Sequence, residues 1–184
     1  TDTFRSNRLT MREYGLQDRI IEINQAAASV ARRAADRFTR DTGLPRFVAG
    51  SIGPSGMLPS TDDPALSNIT FQELVDVFRE QSIGLIQGGA DLLLIETQQD
   101  ILETKAAVHG AWRAFEETGV RIPLQVQVTL DTSGRMLLGT VIAAALTTLE
   151  CLPVVDVIGL NCSTGPDYMR EPVRYLCAHA RNPI

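Results

Sequence analysis

From Gln17 to Arg40, apolar residues recur at helical spacing (Ile20, Ile21, Ile23, Ala27, Val30, Ala31, Ala34 and Phe38), with Arg and Asp between them and Gly43 as a stop. This pattern predicts a long amphipathic helix that turns those residues inward. Arg46 to Ile52 reads as a buried strand ending in the turn Gly53-Pro54-Ser55-Gly56. The connection that follows, through Pro64, is long for a compact domain, and long connections often carry function. Ser67 to Thr70 opens the next helix, with Thr70 and Glu73 at capping-box spacing and Leu74, Val77, Phe78, Ile83 and Leu85 leading to Gly88-Gly89. The run from Asp91 to Thr97 is an apolar strand that ends abruptly in the carboxylate of Glu96. Then follow helix 100–117, strand 124–130, the turn 131–134, helix 141–150, strand 154–160 and a helix from Pro166 to about Ala180.

Continuous apolar strands alternating with amphipathic helices predict an α/β fold with a parallel sheet, because parallel strands need crossovers and are buried on both faces. No Gly-x-Gly-x-x-Gly follows any strand, which removes the best marker of a dinucleotide-binding sheet. Polar residues gather where strands end: Ser51, Glu96-Thr97, Thr129 with Asp131, and Asn161-Cys162. A (β/α)8 barrel builds its active site at those ends. Only four strands are clear, with a fifth if Thr1 to Phe4 is a strand tail, whereas a complete barrel has eight strands in about 250 residues. The expectation is a partial (β/α)8 TIM barrel of four to five βα units. Residues 1–184 are then the central part of a single barrel domain, its first strand and C-terminal strands lying outside the chain. Open sheet edges would favour association.

Composition narrows the partners. The formal net charge is −5 and arginine is scattered without a basic cluster, which argues against nucleic acid and against an anionic membrane surface. No apolar run reaches the roughly 18 residues of a membrane span, and the N-terminal residues lack the core of a signal peptide, so the expected location is cytoplasmic. Three cysteines, an odd number, fit reduced thiols. Lys105, the only lysine, falls in a helical stretch, which disfavours Schiff-base chemistry.

Glu96, where strand meets loop, could bind an ammonium group or act as a base; equally, it could cap the next helix or pair with an arginine. Cys162, between a strand and a helix N-terminus, is placed to favour thiolate, or is a small buried apolar residue. Cys151 and Cys177 read as packing residues, His109 and His179 as surface or rim positions, and Val108, Trp112 and Phe115 as core. No Cys-x-x-Cys or His-x-x-x-His spacing marks a closed zinc site.

Five segments, in order and spacing, resemble the homocysteine S-methyltransferase family, and within it the homocysteine-binding module of cobalamin-dependent synthases. They are 1–8 (TDTFRSNR), 47–54 (FVAGSIGP), 88–97 (GGADLLLIET), 131–135 (DTSGR) and 159–162 (GLNC). The resemblance implies a barrel in which zinc, held by three cysteine thiolates, binds the sulfur of homocysteine, with methyl groups arriving on a cobalamin recharged by folate and cobalamin modules of the same polypeptide. It implies that Cys162 is the first zinc ligand, that Glu96 holds the substrate amino group, and that backbone amides of the Thr3-Phe4 loop meet its carboxylate. Asn161 would orient the ligand loop, and Ser51 with Gly53-Pro54 would line the mouth. The family's adjacent Cys-Cys pair, which supplies the other two ligands, has no counterpart before Ile184, so the chain alone is expected to be inactive. A methyltransferase using another donor (betaine, S-methylmethionine, or a fused folate reductase) and a non-catalytic α/β binding chain are the alternatives.

Overall fold

Four of the helices begin where a side chain satisfies their first amide groups. Asn7 caps α1 (Arg8–Met11), which runs into a 3-10 turn at Arg12–Tyr14, and Thr70 with Glu73 forms a full capping box on α4 (Phe71–Gln87). Asp63 and Asp100 cap α3 (Pro64–Ser67) and α5 (Ile101–Thr118) in the same way. The remaining helices are α2 (Ile20–Thr42), α6 (Ile142–Glu150) and α7 (Pro166–His179). The strands are β1 (Ala49–Ile52), β2 (Leu92–Gln98), β3 (Leu124–Val128) and β4 (Val157–Leu160). The computed structural model describes all residues 1–184.

The four strands form one parallel sheet in the order β1-β2-β3-β4. Every connection steps one strand over in the same direction, and right-handed crossovers then place all the helices on one face. A doubly wound sheet would reverse its strand order partway. Sequential order therefore identifies the sheet as a segment of a (β/α)8 barrel, as the strand-end chemistry had suggested.

Register explains the two faces. Ile52, Ile95, Val126 and Ile158 form one row across the sheet, and all four are fully buried beneath the helices. The adjacent row, Ser51, Leu94, Gln125 and Val157, points to the opposite face, where every member except Ser51 is half-buried. Burying each large aliphatic side chain of the first row is worth about 1.5–3 kcal/mol, so that row fixes the pleat. The side chains of the second row are thereby committed to the barrel side, and so is Glu96, two residues after Leu94 on β2.

Three expectations change. Thr1 to Phe4 is not a strand, although it lies along the outer edge of β1: the Thr1 amino group donates to Ala49 O (2.9 Å) and Ser51 N donates to Thr1 Oγ1 (2.9 Å). The far edge of β4 is also partly covered, because Ile158 N donates to Pro183 O at 3.0 Å. Second, α2 turns Ile20, Asn24 and Ala28 inward and leaves Ile21, Val30, Ala34 and Phe38 exposed, so the predicted face is rotated. It packs against α4 at Gly84 and Gly88, where an added Cβ would lie 2.6 Å from Ile21 O and 2.5 Å from Ala28 Cβ. Backbones that approach this closely need small residues at the contact, not large ones. Third, Cys151 and Cys177 are exposed rather than packed: Cys151 is the C-cap of α6, and on α7 it is the neighbouring Leu176 that is buried. Lys105 lies within α5 and His109 is half-buried between Phe71 and Trp112. Burial, with help from Lys105 and Arg113, lowers the His109 pKa. No helix is long and apolar enough to cross a membrane.

Candidate active site at the strand ends

Glu96 lies on the barrel-facing side of β2, half-buried. Ser51 Oγ, from the matching face of β1, donates to Glu96 Oε1 at 2.7 Å, and Asn161 Nδ2, just beyond β4, donates to Oε2 at 3.1 Å. Residues from three strand ends thus converge on one carboxylate. The alternatives for Glu96 are excluded, since Asp100 caps the following helix through Leu102 N (2.7 Å) and no arginine pairs with Glu96 in any ion pair of the chain. With each oxygen accepting one neutral donor, the carboxylate keeps lone pairs and its charge for a cation.

The backbone around it is strained. Thr97, Cys162 and Ser163 are the chain's only non-glycine residues at positive φ (58°, 65° and 62°); Thr97 is the penultimate residue of β2, and the other two follow β4. For β-branched Thr97 that conformation is a true outlier, of the kind that persists where surroundings over-determine it. Asn161 supplies the surroundings: its Oδ1 accepts from Thr97 N (2.8 Å) and its Nδ2 donates to Thr97 Oγ1 (2.8 Å). The β2–β3 register shifts at the same place, between Ile95 and Gln98. Thr129 Oγ1 in turn donates to Asn161 O at 3.0 Å.

Cys162 is exposed at the end of β4, three residues before Gly165, the N-cap of α7. The buried, apolar reading of this thiol therefore falls. Thr3 is buried and locked: its Oγ1 donates to Ser51 O (2.7 Å) while its carbonyl accepts from Gln81 Nε2 (2.7 Å). Phe4 O accepts from Gly53 N at 2.9 Å. The N–H groups of Thr3, Phe4 and Arg5 enter no hydrogen bond within the chain, so a fixed loop presents free donors. Such a cluster suits an anion.

Ser51, Glu96 and Asn161 are joined by direct contacts, and Thr3 and Phe4 flank Ser51 through the bonds to β1. Cys162 follows Asn161 in the chain but makes no side-chain bond to the group. Three contributors escaped the sequence reading: Gln81, Asp100 and Glu103. The spacing Asp100-x-x-Glu103 has capping-box form and was the available signal for the last two. Yet the box does not form, because Asp100 caps Leu102 N rather than Glu103 N. Glu103 turns away, fully buried, to accept from Ser55 N (2.7 Å) and Ser55 Oγ (2.5 Å). Burial pushes its pKa up to about 7, against the lowering effect of the two Ser55 bonds and with a further rise from Asp100.

Comparison with known proteins places this geometry. The family model described as homocysteine S-methyltransferase matches residues 1–184. The chain is 43% identical over 184 residues to a methionine synthase of Mycobacterium leprae, and 43% identical over 187 residues to that of Mycobacterium tuberculosis. It spans 15% of the length of each of these curated relatives. Among solved structures, the metallated form of the homocysteine methyltransferase MmuM from Escherichia coli superposes with a TM-score of 0.79 at 19% identity, over 97% of this chain and 62% of that one. Its apo form gives a TM-score of 0.68 at 20% identity, over 86% of this chain and 55% of that one. These two likenesses speak to the fold.

Proposed function

The chain belongs to the homocysteine S-methyltransferase family, and from that premise we propose that its strand ends bind homocysteine for methyl transfer within a longer, cytoplasmic methionine synthase of the cobalamin-dependent type. The observation that carries this reading is Glu96, a carboxylate presented by Ser51 and Asn161 with no internal cation. It is matched to the substrate ammonium. The free N–H groups of Thr3 and Phe4 receive the substrate carboxylate, while Asn161 holds the strained Thr97 turn and keeps Glu96 in place. The 43% identity to methionine synthases supports cobalamin, with folate and cobalamin modules as partners, over betaine or S-methylmethionine as donor.

No three His, Cys, Asp or Glu side chains of the chain converge to hold a metal, so its own residues do not make up a zinc site. Cys162, exposed beside the amino-acid contacts, fits as one thiolate ligand. Zinc bound there would supply a stabilised substrate thiolate at neutral pH.

The test uses the full-length protein, with zinc analysis and titration calorimetry against L-homocysteine and 4-mercaptobutanoate, which lacks the amino group. Removing one charge-assisted contact is worth about 10–100-fold, so Glu96→Gln is expected to weaken homocysteine by that factor and leave 4-mercaptobutanoate unchanged. Cys162→Ser is expected to abolish stoichiometric zinc. Equal loss of both ligands in Glu96→Gln, or full zinc in Cys162→Ser, would overturn the corresponding assignment. Absence of both zinc and homocysteine binding in the parent protein would leave a non-catalytic binding module.

A further inference from the structure

Two carboxylates on the first turn of α5 tie down the loop that follows β1. Glu103 Oε1 accepts from both Ser55 N and Ser55 Oγ. Ser55 Oγ itself accepts from Met57 N at 3.1 Å. Asp100, 1% exposed, accepts from Ser60 N at Oδ2 (2.8 Å) and from Ser60 Oγ at Oδ1 (2.7 Å). The loop is thus fixed at two points to a helix anchored in the core.

The other end of the same loop meets the N-terminal segment. Gly53 N donates to Phe4 O, and a Cβ on Gly53 would lie 2.6 Å from the Phe4 ring, so ring and loop are in close contact. A continuous path therefore runs from Glu103 through Ser55 and Gly53 to the Phe4 peptide. Its buried origin is costly: Glu103 Oε2 has no hydrogen-bond partner, and an apolar side chain would pack there at lower cost. What the carboxylate yields in return is the position of the loop.

We propose that Glu103 is a positioning residue for the substrate carboxylate: acting through Ser55 and Gly53, it holds the Phe4 carbonyl, and with it the Thr3–Arg5 segment, so that the N–H groups of Thr3 and Phe4 face the carboxylate of the bound amino acid. This rests on the assignment of those two amides given above. Asp100 acts in parallel on the distal half of the loop through Ser60.

The experiment compares L-homocysteine with 3-aminopropanethiol, which lacks the carboxylate, by calorimetry on the full-length protein. Glu103→Ala is expected to weaken homocysteine about tenfold or more while leaving 3-aminopropanethiol within about twofold. Glu103→Gln, whose Oε1 can still accept from Ser55, should restore most of the difference. Ser55→Ala is the milder variant should Glu103→Ala fail to fold, and it is expected to show the same selective loss. Equal weakening of both ligands, or no weakening of homocysteine, overturns the positioning role alone. If the parent protein binds both probes equally well, the carboxylate is not recognised at Thr3-Phe4, and that assignment falls together with the inference.

Discussion

Asn161 is the residue on which the site's geometry turns. Its amide satisfies Thr97 at both main chain and side chain and also donates to Glu96. Asn161→Ala leaves a buried N–H without its acceptor and an αL threonine without its clip, a cost of about 1–3 kcal/mol. The expected result is a lower urea midpoint together with a weaker homocysteine affinity; an unchanged midpoint would show that Thr97 does not depend on it. Gly53 is a second sensitive point, for space rather than for φ. Gly53→Ala sets a Cβ against the Phe4 ring and carbonyl, both at 2.6 Å, so homocysteine affinity should fall even where circular dichroism is unchanged. Ser51, Glu96 and Asn161 were legible in the chain because each stands where an apolar run stops. Gln81 and Glu103 were not, and neither was the conformation of Thr97. A positive φ and a helix glutamine reaching a distant carbonyl leave no mark in spacing, and the Asp100-x-x-Glu103 spacing does not tell that Glu103 turns away to Ser55.

At the scale of elements, all four clear strands and the long helices were legible from periodicity, with ends displaced by a few residues. Predicted strands 46–52 and 154–160 shorten to Ala49–Ile52 and Val157–Leu160. In the lead-in to β1, Val48 N donates to Asp91 Oδ2 and Val48 O accepts from Asp91 N, so it pairs with a turn rather than a ladder. The face of α2 was misread because periodicity weights bulk, whereas its contact with α4 is made by glycines. Helix propensity favours Gly84→Ala by about 1 kcal/mol. Sterics oppose it, since the new Cβ would sit 2.6 Å from Ile21 O and 2.8 Å from Asn24 Cβ. Backbone contacts this short cannot relax cheaply, and overpacking costs about 1–3 kcal/mol. Net destabilisation by chemical denaturation is therefore expected for Gly84→Ala and Gly88→Ala, and stabilisation would contradict the close α2–α4 approach.

For the whole molecule, the buried Glu103 couples stability to pH. Its folded pKa of about 7 exceeds the unfolded value of 4.5, so between these values the folded chain holds a proton that the unfolded chain has lost. Its contribution is fully present below about pH 4.5 and is lost as pH rises through about 7. At about 1.4 kcal/mol per unit, the loss is about 3 kcal/mol. Asp100, which raises the Glu103 pKa further, widens the pH window of the effect. Glu73, held low by Thr70, and Asp131, held low by Ser133, act in the opposite sense and in a more acidic window. Urea midpoints at pH 5 and pH 7.5 should therefore differ less in Glu103→Gln than in the parent, and identical pH slopes would show that Glu103 ionises normally.

By itself the sequence determined the α/β class, the order of elements, the acidic and single-lysine composition that directs attention to small-molecule chemistry, and the strand-end residues, because these depend on local periodicity and on where apolar runs stop. Tertiary structure decided the sequential order of the sheet, the inward face of α2, the exposure of Cys151, Cys162 and Cys177, and the convergence of Ser51 and Asn161 on the Glu96 carboxylate. Those outcomes depend on pairing and close approach between residues tens of positions apart, such as the 45 that separate Ser51 from Glu96 and the 65 between Glu96 and Asn161. Spacing along a chain encodes which face a residue occupies, and only packing selects its neighbour across the fold.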